Sequence, residues 1–227
     1  MNSELRDVLI ALLSDSGYSP IKGVAVATQG SVWLEYSAGP SDVRHVLFLQ
    51  YKPASVAFAI GIGLYSPAAM NLVRLNLPSV LAFTNADPRN VIFRYPCWTL
   101  FDAGELLGWP DGLVPAPGAS GSCLEQIREL DGRILRRVFV PVDSLSRLWD
   151  FLLSNEEPQS WRHTHGVMRL ADALSVGVTQ GIDISQLRQA ADSAEPWAKR
   201  YMRDPTRYGE LVDELIRRFA IWEVQRN

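Results

Sequence analysis

Residues 56–65 form a segment with bulky side chains on one face and almost none on the other. Read with a period of two, the bulky face consists of Val56, Phe58, Ile60, Ile62 and Leu64. The opposite face consists of Ala57, Ala59, Gly61, Gly63 and Tyr65. Because alternate side chains of a strand point to opposite faces of a sheet, this pattern predicts a strand with one core face and one face of nearly bare backbone. Another group must come close to that bare face, and we expect a helix to pack there.

Three more strands are predicted before this segment, over residues 21–28, 31–37 and 44–52. The links between them are only two to five residues long, which fits hairpins and excludes helical crossovers. Residues 21–65 therefore predict an antiparallel meander. Within it, residues 46–51 are apolar on both faces, which indicates a central strand covered on both sides.

The spacing of apolar residues also predicts helices and strands before and after the meander. An amphipathic helix is predicted over residues 4–15, short helices over 67–74 and 122–130, and further strands over 90–95 and 134–142. After residue 142 the apolar period becomes helical. It predicts helices over residues 143–154, 165–176, 184–192, 196–203 and 205–225.

Strands that precede helices along a chain favour an α+β fold over an alternating α/β fold. The predicted fold is therefore an α+β antiparallel sheet of five or six strands with an N-terminal helix, followed by a helical C-terminal part packed on the sheet. We expect a sheet-rich part over residues 1–142 and a helical part over 143–227, together forming one compact unit.

Charge and hydropathy exclude several classes of protein. The net charge is −3, so no overall field attracts nucleic acid or an anionic membrane. The chain has no apolar run near the ~20 residues needed to cross a bilayer, and its first residues are too acidic for a signal peptide. Cys97 and Cys123 are too few for a secreted disulfide scaffold, and the sequence leaves their pairing open. We therefore expect a soluble, cytoplasmic protein that binds neither nucleic acid nor membranes.

Two histidines and an aspartate could carry acid–base chemistry. His163 and His165 are separated by one residue, and Asp172 follows His165 by two helical turns, so the side chains could share a face. Imidazole and carboxylate groups in this arrangement can act as general acid and base, or bind a metal ion. A zinc site needs three or four ligands in one place, and no local third ligand completes this set. We therefore predict neither a metal nor a cofactor.

Two tryptophans are the aromatic candidates for a binding surface. Trp98 and Trp109 lie in residues 96–122, a segment rich in glycine and proline that we expect to form a long irregular loop. Loops of this length are uncommon and usually functional, so these two side chains are predicted to contact a partner.

Three arginines flank or lie within the predicted strand 134–142. The guanidinium groups of Arg133, Arg136 and Arg137 could bind a phosphate or a carboxylate through their planar forks. Arginines at the edge of a sheet also prevent edge-to-edge pairing, and the sequence favours this second interpretation. Arg133 and Arg136 are kept as candidate binding residues.

Two further motifs approach known functional patterns without completing them. Gly61-x-Gly63-x-x-Ser66 is close to a dinucleotide-binding fingerprint, but the third glycine is missing and both glycines fall inside the predicted strand. Residues 165–192 have the rhythm of a helix-turn-helix, yet residues 163–227 carry nine basic and nine acidic side chains. That balance lacks the electrostatic footprint of a DNA-binding protein, so close packing is the favoured interpretation of both motifs.

Residues 3–66 resemble the uncharacterised DUF4304-type domain. The resemblance depends on Leu12-Leu13 followed by Gly17-Tyr18, on Val46-Leu47-Phe48-Leu49-Gln50, and on the segment from Phe58 to Tyr65. It implies an antiparallel sheet with a helix, and it implies no established activity and no functional residues.

Three functional hypotheses follow from the sequence. The favoured one is a non-catalytic module that binds a small ligand or a protein partner, with a homodimer as one such assembly, because no catalytic set is complete. The second is a hydrolase-like enzyme that uses His163 and His165 with Asp172 or a metal. The third is a DNA-binding regulator that uses the helix pair at 165–192.

Overall fold

The computed structural model describes most of the chain in eight segments. They are residues 17–20, 31–36, 42–52, 57–84, 99–102, 114–115, 122–154 and 166–226, together with Asp7, Ile10, Ala11, Leu13, Ser14 and Leu107. Contacts divide the chain into two compact units, which are Met1–Leu64 with Thr99–Val142, and Tyr65–Trp98 with Asp143–Asn227. Residues 65–98, which the sequence analysis assigns to the sheet-rich part, therefore belong with the helices that follow residue 142.

The strands and helices have the following bounds. The strands are β1 (Tyr18–Pro20), β2 (Ser31–Tyr36), β3 (Arg44–Lys52), β4 (Ala57–Tyr65), β5 (Thr99–Asp102) and β6 (Val114–Pro115). The helices are α1 (Met70–Phe83), α2 (Ser122–Glu129), α3 (Leu145–Leu153), α4 (Gly166–Thr179), α5 (Ile184–Ala198) and α6 (Tyr208–Arg226). Lys199–Tyr201 and Pro205–Arg207 form short 3₁₀ helices.

The sheet of the first unit follows chain order from β1 to β4. β1 pairs with β2 and β2 with β3, both antiparallel, and β3 neighbours β4. The short strands β5 and β6 each pair antiparallel with β4. The predicted strands 44–52 and 56–65 are confirmed as β3 and β4. β3 lies between β2 and β4 with Val46, Leu47 and Leu49 buried, so its two apolar faces are those of a central strand, as predicted.

Aromatic side chains run across the first three strands. Tyr18 of β1 lies opposite Tyr36 of β2, with ring centroids 5.2 Å apart, and Tyr36 stacks on His45 of β3 at 5.9 Å. His45 Nε2 donates a hydrogen bond to the carbonyl of Val142 at 2.9 Å. Gly17, with φ of +92°, leaves room for the Tyr36 ring, which would lie 2.9 Å from a Cβ at that position. These cross-strand contacts hold β1, β2 and β3 in register.

The predicted strand over 134–142 is wrong, because these residues continue helix α2 as a π-helix, Leu130–Phe139. The Val140 N–H donates to the Leu135 carbonyl at 2.7 Å, five residues back along the chain, as this winding requires. Its buried residues are Leu130, Ile134, Leu135 and Phe139. Residues 134–139 consist of two apolar residues, two arginines and two more apolar residues. This spacing is typical of a helix, since a strand would bury alternate residues.

The predicted fold class therefore needs correction. The first element with defined bounds is strand β1, not the predicted N-terminal helix of residues 4–15, of which only single residues with helical backbone are described. The sheet is built as a four-strand antiparallel meander, β1 to β4, with only the short β5 and β6 paired on β4, so it differs from the predicted sheet, which included residues 134–142. Predicted strands 21–28 and 90–95 lie outside the described residues. The coarser description, an antiparallel sheet followed by a helical C-terminal part, agrees with the structure.

Two helices of the second unit continue past their predicted ends, and each contains a proline. α1 extends to Phe83 through Pro78, and α5 runs to Ala198 through Pro196, so the predicted break between 192 and 196 is wrong. An interior proline removes one backbone hydrogen bond. Burial of the neighbouring Val80 in α1, and of Trp197 and Ala198 in α5, offsets that loss. Within the described residues, no helix is both long enough and apolar enough to cross a membrane.

Helix α4 is the centre of the second unit. Thirteen consecutive residues, Gly166 to Val178, are buried, and the helix contacts α1, α3, α5 and α6. A Cβ at Gly166 would lie 2.6 Å from the Trp197 carbonyl oxygen and 2.8 Å from the Ala198 Cα. Only glycine permits so close an approach between the start of α4 and the end of α5.

We expect Gly166→Ala to lower the free energy of unfolding by about 1–3 kcal/mol, because the added methyl group must displace backbone atoms of α5. Gly209→Ala is the matched control, since Gly209 lies on α6 and a Cβ there meets no atom within 4 Å. That change should be neutral or stabilising by up to about 1 kcal/mol through helix propensity. Urea denaturation measures both variants, and equal effects would contradict the close approach.

Candidate functional site

Four residues of the predicted sites lie outside the described residues. These are His163 and His165, proposed for acid–base chemistry, and Trp98 and Trp109, proposed for partner binding. The hypotheses that depend on them stay predictions. Asp172, Arg133 and Arg136 are described, and the structure places them in different units.

Asp172 lies inside the second unit. Its side chain is on the central helix α4, only 4 % exposed, and its Oδ2 atom has no hydrogen-bond partner among the described residues. Burial raises the pKa of this carboxyl well above its usual range. An environment of this kind favours the protonated carboxylic acid over the carboxylate that a metal ion or a positioned histidine would need.

Asp172 belongs to a polar stripe on α4. Arg169, Asp172 and Ser175 follow one another at intervals of three residues, and all three are buried. The Ser175 hydroxyl donates to the Ala171 carbonyl at 2.7 Å and accepts from the Asn76 side-chain amide of α1 at 3.3 Å. This end of the stripe ties α4 to α1.

The other end of the stripe ties α4 to α3. The Arg169 guanidinium donates to the Leu152 carbonyl, and to the Ser154 carbonyl at 2.6 Å, where α3 ends. It also lies 3.9 Å from the centroid of the Trp197 ring. A cation at a helix C-terminus, satisfying its last carbonyls and stacked on an indole, stabilises the packing of three helices. These contacts give Arg169 a structural role.

The candidate arginines of the first unit lie on a helix and not at a sheet edge, so the predicted edge placement is wrong. Arg133 pairs with Glu129, and Arg136 Nε donates to Asp131 Oδ2 at 2.7 Å. Both arginine side chains are 58 % exposed. An anion would have to compete with carboxylates of the same helical segment for these guanidinium groups.

The predicted helix pair at 165–192 is present as α4 and α5. Asp183 caps α5 by accepting from the backbone N–H groups of Ser185 and Gln186, at 2.8 and 3.0 Å. Arg188, the basic residue of α5 that could face DNA, pairs with Asp213 of α6 at 2.7 Å. The helix pair therefore takes part in the packing of this unit, and its DNA-binding role stays a prediction.

An open groove lies between α3 and α5 in the second unit. Its volume is about 490 Å³. Its lining residues are Trp149, Leu153, Ile182, Gln186, Gln189, Ala190, Ser193 and Ala194. Sequence reasoning missed this groove.

Gly177 of α4 determines where the largest lining side chain lies. A Cβ at this position would come within 2.8 Å of Trp149 Cε3 and 2.7 Å of Leu187 Cδ2. The indole of α3 and a leucine of α5 therefore both rest on the bare backbone of α4. The isolated glycine in an otherwise buried helix is the sequence signal that could have found this contact.

The described residues that line the groove are all uncharged. Its polar groups are the amides of Gln186 and Gln189 and the hydroxyl of Ser193, all on one face of α5 at helical spacing. Trp149, Leu153, Ile182 and two alanines form the apolar remainder. Such a surface can bind an uncharged molecule by burial, stacking and amide hydrogen bonds. Across the described segments, no three His, Cys, Asp or Glu side chains come together as a metal site.

We expect the variant Asp172→Asn to gain stability relative to the wild-type protein as pH rises. The unfolded carboxyl loses its proton near pH 3.8, whereas the buried native carboxyl keeps it to higher pH. The wild-type protein therefore loses stability above about pH 4, at a slope approaching 1.4 kcal/mol per pH unit, and asparagine has no such loss. Urea denaturation across the pH range measures this difference.

The exposed N-cap Asp183 provides a control of opposite sign. Hydrogen bonds from the Ser185 hydroxyl and from backbone N–H groups lower its pKa, so its charge stabilises the fold above pH 3.8 and this contribution is lost as pH falls. Asp183→Asn should therefore be less stable than the wild-type protein at neutral pH and match it in acid. The burial of Asp172 would be contradicted if both variants showed the same pH trend.

Comparison with known proteins gives no relative for this chain. No family model matches the sequence, and no curated protein or solved structure matches the chain. The resemblance of residues 3–66 to the DUF4304-type domain therefore stays a prediction, and the functional argument depends on the geometry of the groove.

Proposed function

We propose that this protein is a non-catalytic binding module that holds a small uncharged ligand in the groove between α3 and α5. The observation that carries the proposal is the groove itself, about 490 Å³ in volume and lined by uncharged side chains. Ligand pockets in proteins have volumes of roughly 300–1,000 Å³, mostly apolar walls and a few placed polar groups.

The composition of the lining supports binding over chemistry. Its ligand-facing groups are an indole, aliphatic side chains, two amides and one hydroxyl. General acid–base catalysis needs a group that titrates near the working pH, which none of these side chains does. Asp172, the described member of the predicted catalytic set, does not line the groove.

We expect uncharged fragment molecules to bind the groove with dissociation constants on the order of 1 mM. Two-dimensional NMR should show shifts of the Trp149 indole N–H and of the Gln186 and Gln189 side-chain amides. In the variant Ala190→Trp the new indole fills the groove, and these shifts should disappear.

Asp192→Trp is the matched control for this experiment. It adds the same side chain to the same helix at an exposed position that does not line the groove. Fragments should bind this variant as they bind the wild-type protein. If no uncharged fragment shifts the three groove signals, or if Ala190→Trp leaves the shifts unchanged, the proposal is wrong.

A further inference from the structure

The chemistry of the groove narrows the class of ligand, on the condition that the proposed function is right. We infer that the ligand carries a planar aromatic ring with a neutral hydrogen-bonding edge, of which a primary carboxamide is the simplest case. The ring packs against Trp149, and the neutral edge bonds the amides of Gln186 and Gln189.

The first argument is the fixed position of Trp149. Its benzo edge rests on the bare backbone of Gly177, where even a methyl group would come within 3 Å of Cε3. The side chain is half-buried, so part of the indole stays open to the groove. A ring that is already immobilised loses little entropy when a second ring stacks on it.

The second argument is the small size of two α5 side chains in the lining. Ala190 and Ala194, one helical turn apart on α5, line the same groove as the larger Trp149 and Leu153 of α3. Small side chains leave room beside an indole that a flat ring can occupy. A bulkier saturated ring presents hydrogen atoms on both faces, and it forgoes the offset stacking that an aromatic pair gains.

The third argument is the absence of charge from the lining. An ion that entered the groove would meet no opposite charge among the described lining residues, all of which are uncharged. Each glutamine amide offers both a carbonyl acceptor and two N–H donors. A neutral carboxamide has the same pair of functions and can satisfy both. A carboxylate offers only acceptors, and an amidinium only donors.

Four small molecules of similar size test these arguments one at a time. Benzamide is aromatic and neutral, benzoate is its anion-bearing analogue, benzamidine its cation-bearing analogue, and cyclohexanecarboxamide keeps the amide without the aromatic ring. We expect benzamide to bind the 227-residue chain tightest by NMR titration of the Trp149 indole N–H. The charged analogues should bind at least tenfold more weakly. Cyclohexanecarboxamide should bind about two- to tenfold more weakly, as expected for the loss of an aromatic pair.

Single variants test which side chain produces the differences in affinity between these molecules. Gln189→Leu should weaken benzamide binding about five- to tenfold, the effect of losing one hydrogen bond, while cyclohexanecarboxamide weakens equally because it shares the amide. Trp149→Leu, followed through the Gln186 and Gln189 side-chain amide signals because the indole is absent, should remove the preference for benzamide over cyclohexanecarboxamide. Asp192→Leu, on the same helix but outside the lining, should change neither affinity.

The possible results distinguish a wrong ligand class from a wrong proposed function. If a charged analogue binds as well as benzamide, or if cyclohexanecarboxamide does, the ligand class is wrong while the groove remains a binding site. If other uncharged fragments occupy the groove and benzamide does not, the class is again wrong. If neither these probes nor any uncharged fragment binds, the proposed function itself fails.

Discussion

The close approach of neighbouring helices to α4 is the contact on which the helical unit depends. At Gly166 the backbone of α5 comes nearer than any Cβ would permit, and at Gly177 the indole of Trp149 and the side chain of Leu187 do the same. Protein interiors are close-packed, so a methyl group at Gly166 must move the backbone of α5, and one at Gly177 must displace the side chains of Trp149 and Leu187. The same contact at Gly177 positions one wall of the groove, and thereby links the packing of the core to the binding surface.

Buried polar groups on α4 favour one arrangement of the neighbouring helices over others. Arg169 bonds the last carbonyls of α3, and Ser175 accepts from Asn76 of α1. Hydrogen bonds of this kind contribute little net stability, but buried polar groups left unpaired are costly, so they disfavour other arrangements of the helices. Asp172, with one oxygen unpaired among the described residues, carries that cost, which protonation reduces. The helix therefore holds both close interhelical contacts and a buried carboxyl group whose pKa is raised.

The spacing of apolar residues alone could predict strands and amphipathic helices. β3, β4, α3, α4 and α6 have the apolar spacing that their burial requires, and the structure has each of them near the predicted bounds. The failures have identifiable causes. Residues 134–142 contain β-branched and apolar residues that suit a strand, but their spacing follows a helix, and packing of Ile134, Leu135 and Phe139 decides the outcome. Proline is unfavourable in the interior of an isolated helix. In this protein, burial of neighbouring residues stabilises α1 and α5, and both helices continue past Pro78 and Pro196.

By itself the sequence determined the local structure of β3, β4 and several amphipathic helices, because that structure depends on apolar spacing that can be read along the chain. The tertiary structure alone decided the candidate site. Trp149 and Gln189 are forty residues apart in sequence and line the same groove, and Gly177, on a third helix, determines where the indole lies. Each of these residues is an ordinary helical residue when read locally. Their common surface exists only because three helices pack at the distance that a glycine permits.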